Sequence, residues 1–484
     1  MPCFGQQLTI YPAVEALKPG AGFKVRVRIP GQAWKDLPTY AVAVADGGHG
    51  TFLPRETSFG YFDFRGRVDV EITGKRPFAK AGIRPLSYNI RPQIAGRTIT
   101  FSLDQPRNLC IDLDGDIFHN LQLFAGAPET SIPDKADTNT IYYGPGVHAV
   151  GTVKVGSGKQ VYLAGGAVVE GQFLIDHAAH VRISGRGILY QPSGNESGYH
   201  SRHDALRIDF SRDVRIQGLI VIPNTYTVLM GSSRDVEIRD LKSFSAGGNN
   251  DGIDVFCSEN VVIDHVFMRN SDDCIAIYGH RWRYYGNTRN VTVSHSSLWA
   301  DVAHPILVGT HGDPSHPDTL ENLYFTDIDI LDHHENQIDY QGCMSLNAGD
   351  SNLIRHVRFE DIRVEDFRKG QLVNLRVMFN KKYNTAPGAG IEDVLFKNVT
   401  YTGTHASLSV IAGYDDRRPV KDILFQNLVI NGRMIADDMP GKPGWYKTSD
   451  MAGFFVGEHV DGLRFVGPGG GRTPSLLGEA TGQK

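Results

Sequence analysis

One short pattern recurs along this chain and limits the folds open to it: a polar residue or glycine, an aliphatic residue, any residue, then Ile, Val or Phe. It runs from His180-Val181-Arg182-Ile183 and Asp213-Val214-Arg215-Ile216, through Asn260-Val261-Val262-Ile263 and His356-Val357-Arg358-Phe359, to Gly462-Leu463-Arg464-Phe465. Successive aliphatic anchors stand 33, 22, 25, 30, 32, 34, 37, 29 and 40 residues apart. Intervals in so narrow a range mark an internal repeat. Within each unit apolar and polar residues alternate, with β-branched and aromatic side chains favoured, which is the period of a half-buried strand and not of a helix. A strand this short cannot bury its apolar face alone, whereas stacked coils pair every strand with its neighbours and share one interior. The repeat therefore predicts an all-β chain whose main body is a parallel β-helix. A β-sandwich would need strand pairs roughly every 8–12 residues.

Residues 1–125 lack this period. Runs such as Phe23-Lys24-Val25-Arg26-Val27-Arg28-Ile29 and Thr98-Ile99-Thr100-Phe101-Ser102-Leu103 alternate between turns that contain Gly and Pro. They predict a small antiparallel β-sandwich domain ahead of a β-helix domain over residues 126–484. The 54 glycines suit coils that turn at every corner. Lys and Arg number 49 against 54 Asp and Glu, a net charge of −5, so no basic field marks a nucleic-acid partner. No run approaches the roughly 18 apolar residues that span a bilayer. The start, Met1-Pro2-Cys3-Phe4-Gly5-Gln6, lacks the basic and apolar regions of a signal peptide; the chain as given reads as soluble, with its compartment open. Cys3, Cys110, Cys257, Cys274 and Cys343 form no CxxC pair, which argues against a disulfide framework and against zinc.

Counting from the anchors places polar residues around the coil. Asp251 lies 15 residues after Val236, Asp272 and Asp273 lie 11 and 12 after Val261, and His304 lies 13 after Val291. Equivalent positions of successive coils stack, so these four should share one lateral face. Tyr226, 12 after Val214, and Glu335, 12 after Leu323, extend it. Neighbouring residues of a strand point to opposite faces, so Asp272 and Asp273 both face a cleft only at a bend. Close carboxylates repel when ionised, which raises at least one pKa and separates an acid role from a base role. Isolated Asp residues at corners are also ordinary turn formers, and His304 reads equally as a buried histidine satisfied by the next coil or as a proton-relay partner. Gly279-His280-Arg281-Trp282-Arg283-Tyr284-Tyr285-Gly286 interrupts the coil after the Asp pair; its rings either stack on sugars or pack on the barrel. Asp332, His333 and His334 match no metal-ligand spacing and read as a polar loop.

Asn249-Asn250-Asp251-Gly252-Ile253-Asp254, then Ser271-Asp272-Asp273-Cys274-Ile275-Ala276-Ile277, then His304-Pro305-Ile306-Leu307-Val308-Gly309-Thr310-His311-Gly312 resemble the ordered Asn-x-Asp-Gly, Asp-Asp-Cys and Gly-His-Gly motifs of the polygalacturonase family. Ala303 and Pro305 replace the two glycines of the last. The β-rich start is similar in layout to the related dextranase and isopullulanase family. The resemblance implies a right-handed, pectin-lyase-like β-helix and an inverting glycoside hydrolase with a carbohydrate substrate, no cofactor and no metal. It implies that Asp272 is the general acid, that Asp251 and Asp273 activate water, and that His304 tunes or relays protons. Asn249, Tyr226, Tyr278, Trp282, Tyr284, Glu335 and Asn347 then become candidates for substrate binding. The family carries an Arg-x-Lys element one coil beyond the histidine for a uronate carboxylate, and here Ser345 and Asn347 stand in that region. Neutral side chains suit neutral hydroxyls, so the expectation is an α-linked, glucan-like neutral glycan. The alternative is an acidic pectic glycan, with Arg281, Arg283 or Arg355 supplying a cation. A polysaccharide lyase would want a compact acidic Ca²⁺ loop, and a non-catalytic glycan-binding rod would give the Asp triad no purpose.

Overall fold

The computed structural model describes residues 5–48, 51–192 and 203–469; Cys3 lies outside them. From Thr140 to Val466 one 31-stranded sheet system winds along the chain, each strand pairing with its counterpart a coil later. Ile253–Phe256, Glu259–Asp264 and Phe267–Asn270 make one such coil. They pair in parallel with Val228–Gly231, Arg234–Arg239 and Lys242–Phe244 on one side, and with Ile275–Tyr278 and the two halves of Thr288–Ala300 on the other. This is the right-handed parallel β-helix that the repeat and the resemblance predict.

The first residue of each repeat unit does a backbone task. From His180 and Asp213 to Asp422 and Gly462, its φ lies between 48° and 69°. Gly, Asn, Asp and His are the residues that best tolerate this left-handed conformation, and they alone fill the position. Four successive rungs are also tied side chain to side chain: Asn260 Nδ2 donates to Asp235 Oδ1 at 2.9 Å, Asn290 Nδ2 to Asn260 Oδ1 at 3.0 Å and Asn322 Nδ2 to Asn290 Oδ1 at 3.1 Å. The second and fourth residues point inward. At the fourth, Phe325, Phe359, Phe396, Phe425 and Phe465 form a column with centroid spacings of 4.7, 4.9, 4.5 and 5.0 Å, matching the distance between paired strands.

Before the helix, two sheets enclose Val25, Val27, Phe62, Val70, Ile99, Ile111 and Leu123. Their pairing is antiparallel except that Leu121–Gly126 runs parallel to Thr51–Arg65. Leu121–Gly126 returns antiparallel to Arg107–Leu113 and takes the vacant edge of the long strand in the same direction. A second apolar layer, including Tyr40, Val44, Phe59 and Phe124, meets Phe244, Phe267, Trp299 and Leu331 of the helix. Cys110, Cys257, Cys274 and Cys343 are buried free thiols. Among the described residues no helix is long and apolar enough to cross a membrane.

Candidate active site

Asp251, Asp273 and His304 stand at the corners that lead into Ile253–Phe256, Ile275–Tyr278 and Ile306–Gly309. Backbone bonds keep these corners in step: the Gly252 N–H donates to the Asp273 carbonyl at 2.7 Å and the Cys274 N–H to the His304 carbonyl at 2.8 Å. Continuing the strand register places Tyr226, Asp251, Asp273 and His304 in one column. Asp251, Asp272 and Asp273 each bring a carboxylate oxygen within 4.8 Å of the others. Asp251 and Asp273 are buried and Asp272 is half-buried.

The three carboxylates differ in their partners. Asp273 Oδ1 accepts the His304 N–H at 3.0 Å and lies 2.7 Å from His304 Nδ1, while its Oδ2 accepts the Tyr278 hydroxyl at 3.3 Å. His304 Nε2 donates to the Tyr340 carbonyl at 2.6 Å, since a carbonyl can only accept. Burial works to lower the His304 pKa, but the charge and hydrogen bond of Asp273, with Glu335 behind, raise it on balance. Asp272 Oδ1 accepts the Asp273 N–H at 3.1 Å, but burial, then the charges of Asp273 and Glu335, outweigh that bond and push its pKa up to about 8. Asp251 is raised well above the carboxylate range by burial and by Asp254, Asp272 and Asp273, with the Arg281 charge opposing. Asp254 is raised likewise, by burial first and then by Asp273. Asp272 therefore holds its proton to higher pH than a solvated carboxyl, beside an Asp273 that accepts the His304 N–H and the Tyr278 hydroxyl. A protonated carboxyl next to a hydrogen-bonded carboxylate is the pairing that acid–base catalysis needs.

Residues 142–439 match the family described as Glycosyl hydrolases family 28. The chain belongs to that family. The segment matched to family 28 contains Asp251, Asp272, Asp273 and His304. Two relatives named polygalacturonase are similar to it: one from Juniperus ashei is 24% identical over 311 residues, 61% of this chain and 53% of its own, and one from Chamaecyparis obtusa is 22% identical over 277 residues, 56% and 49%. The chain thus spans about half the length of the curated relatives it matches. Among solved structures, Dex49A from Penicillium minioluteum superposes with a TM-score of 0.54 at 14% identity, covering 91% of this chain and 94% of that one. At that identity the likeness is one of fold.

Within this family 28 site, Tyr278 reaches Asp273, and Glu335 is buried where its charge is felt by Asp272 and His304. Asn249 is partly exposed at the corner before Asp251, with φ 54°. Tyr226 lies in an apolar layer with Phe256, Tyr278 and Tyr340. Trp282 is 45% exposed. Two more of the expected substrate contacts are buried. Tyr284 is fully buried, its hydroxyl donating to Asp209 Oδ1 at 2.6 Å and accepting from Arg207 Nη2 at 3.0 Å, so it has no face for a sugar. Asn347 is also buried, with Nδ2 bonded to Ser345 Oγ at 2.5 Å. Ser345 is equally inaccessible, so the neutrality of this pair says nothing about the substrate. Of the three arginines considered as cations, Arg283 pairs with Asp209 and Arg355 with Glu321, whereas the charge of Arg281 is felt by Asp251 and Asp254.

Asp254, Tyr340 and Tyr383 join the site without having been singled out in the sequence. Asp254 was legible: it is the outward residue between the inward Ile253 and Val255. Tyr383 was not. It arrives on a loop from a later coil, packs its ring 4.7 Å from Tyr340 and donates its hydroxyl to Gln337 Oε1 at 3.1 Å. His333 is a satisfied core histidine, its Nδ1 donating to the Ala303 carbonyl at 2.7 Å and its Nε2 accepting the Gly342 N–H at 3.0 Å.

The Asp triad and a second group, Asp264 with His265 and His295, are spaced closely enough to hold a cation. In the second, Asp264 already pairs with Arg239 and accepts the Ser294 hydroxyl at 2.7 Å. A cavity of about 490 Å³ between the N-terminal sheets and the helix shares no lining residue with the triad, and several of its charges pair with each other, as in Arg186–Asp63 at 2.9 Å and Arg363–Asp329 at 2.7 Å.

Proposed function

We propose that the chain is an inverting glycoside hydrolase that cleaves α-linked, galacturonate-containing glycans of the pectic type. The observation that carries this reading is the convergence of the Asp251, Asp272 and Asp273 carboxylates within 4.8 Å of one another, inside the segment matched to family 28. Asp272 donates its proton to the glycosidic oxygen as the bond to the anomeric carbon breaks. Asp273, helped by Asp251, takes a proton from the water that attacks the opposite face. His304, fixed between Asp273 and the Tyr340 carbonyl, holds the base in place. The names of the two relatives support an acidic glycan, and the burial of Ser345 and Asn347 removes the reason for preferring a neutral one. The carboxylate oxygens approach more closely than the roughly 6.5–9.5 Å usual between acid and base in inverting enzymes, so inversion rests on the family resemblance and not on spacing.

Reducing ends released from polygalacturonate, dextran, pullulan, arabinan and galactan provide the test. Polygalacturonate should be cleaved by the parent chain and not by Asp272→Asn. Cleavage of dextran or pullulan alone would restore the neutral-glycan reading, and products absorbing in the ultraviolet would mark a lyase.

A further inference from the structure

After Tyr278 the chain forms a tight hairpin in which the Arg281 N–H donates to the Tyr284 carbonyl at 3.2 Å and the Tyr284 N–H to the Arg281 carbonyl at 3.0 Å. At its tip Trp282 has φ 53°, a left-handed conformation that bulky residues avoid. The hairpin is not loose. Its base is fixed by the buried Tyr284 and by Arg283, both bonded to Asp209, and Gly231 leaves the necessary room, since a Cβ there would lie 2.2 Å from the Tyr284 ring. A rigid mount that holds a half-exposed Trp in an unfavourable conformation points to function.

A run of rings connects the mount to the catalytic corner. The Trp282 ring lies 5.3 Å from Phe256, which stacks on Tyr278 at 5.0 Å, and the Tyr278 hydroxyl bonds Asp273. The Arg281 guanidinium lies 4.7 Å from the centre of the Trp282 ring. Resting on the acidic-glycan reading, we propose that Arg281, steadied against Trp282, binds the carboxylate of a uronate residue next to the scissile bond. A guanidinium offers the planar fork that a carboxylate accepts, and holding it on an aromatic face in advance reduces the freedom lost on binding. The clamp then sits on the coil of Asp272 and Asp273 itself, not one coil beyond the histidine, where Ser345 and Asn347 are buried.

Steady-state rates on polygalacturonate, each variant at its own pH optimum, test this. Arg281→Gln should raise KM about 10- to 100-fold, the loss expected for a charged hydrogen bond, with kcat changed little and the thermal midpoint kept. Arg281→Lys should recover part of the loss, and Trp282→Ala should raise KM by less than Arg281→Gln. Calorimetry of a galacturonate trisaccharide on Asp272→Asn, with and without Arg281→Gln, should show the same weakening. An unchanged KM and unchanged trisaccharide affinity, in a parent that cleaves polygalacturonate, would overturn the clamp alone. A parent that cleaves only neutral polymers would overturn the acidic-glycan reading and the clamp with it.

Discussion

Turnover at the proposed site requires a protonated Asp272, so it should fall as pH rises through about 8, where that carboxyl releases its proton. It also requires an ionised partner, and burial together with Asp254 holds Asp251 above the ordinary carboxylate range. The acid limb of a kcat/KM profile should therefore lie higher than for a solvated Asp. Asp254→Asn removes one neighbouring charge and should move that limb to lower pH; a limb that stays put would contradict the coupling. Asp272→Asn should cost about 10²–10⁴ in kcat with the circular dichroism spectrum retained. The same proton bears on stability. The folded pKa of Asp272 lies above the roughly 3.9 of an unfolded Asp, so the folded state keeps a proton the unfolded state has released, and stability falls as pH rises from about 4 toward about 8. Thermal unfolding at pH 8 should find Asp272→Asn more stable than its parent. The column of Asp251, Asp273 and His304 was legible because consecutive coils bring equivalent positions into line. The burial of Tyr284 was not legible, because Asp209, which its hydroxyl bonds, lies 75 positions away, and nothing local in a Gly-bounded polar segment reveals that.

At the scale of the strand and its corner, the repeat displayed a polar first residue whose cause is a backbone of left-handed sense. Asn290 has φ 56° and stands in the middle of the amide ladder. Asn290→Val places a β-branched side chain there and removes the ladder bonds, at a cost of about 2 kcal/mol. Asn290→Gly keeps the conformation and should cost less. Equal losses in denaturant unfolding would assign the position to side-chain bonding instead. The strand alternation that exposed the coils could not fix the direction of Leu121–Gly126, because outside a repeat the period of a strand says nothing about which way its neighbour runs.

Across the whole molecule, we propose that residues 1–125 and 126–484 are two units joined by an interface that the site depends on. Arg269 is fully buried; its Nε bonds Asp301 at 3.0 Å, its Nη1 bonds Asn120 Oδ1 at 2.9 Å and its Nη2 bonds the Ile117 carbonyl at 2.8 Å. Asp301 belongs to the corner that carries His304. Asn120→Leu leaves a buried guanidinium short of an acceptor and should cost about 1–3 kcal/mol, measured by thermal unfolding, with a lower kcat because the His304 corner loses support. An unchanged midpoint would show that the N-terminal unit merely rests on the helix. The repeat made the helix legible from end to end, whereas this interface was not, since its contacts join residues with no shared period.

Hydrolysis at a galacturonate linkage is tested most directly by proton NMR over the first minutes of polygalacturonate digestion. Attack of water activated by Asp273 and Asp251, with the proton supplied by Asp272, gives a β-anomeric reducing end before mutarotation sets in. An α-anomer appearing first would contradict inversion, and an unsaturated end in place of a new reducing sugar would contradict hydrolysis itself.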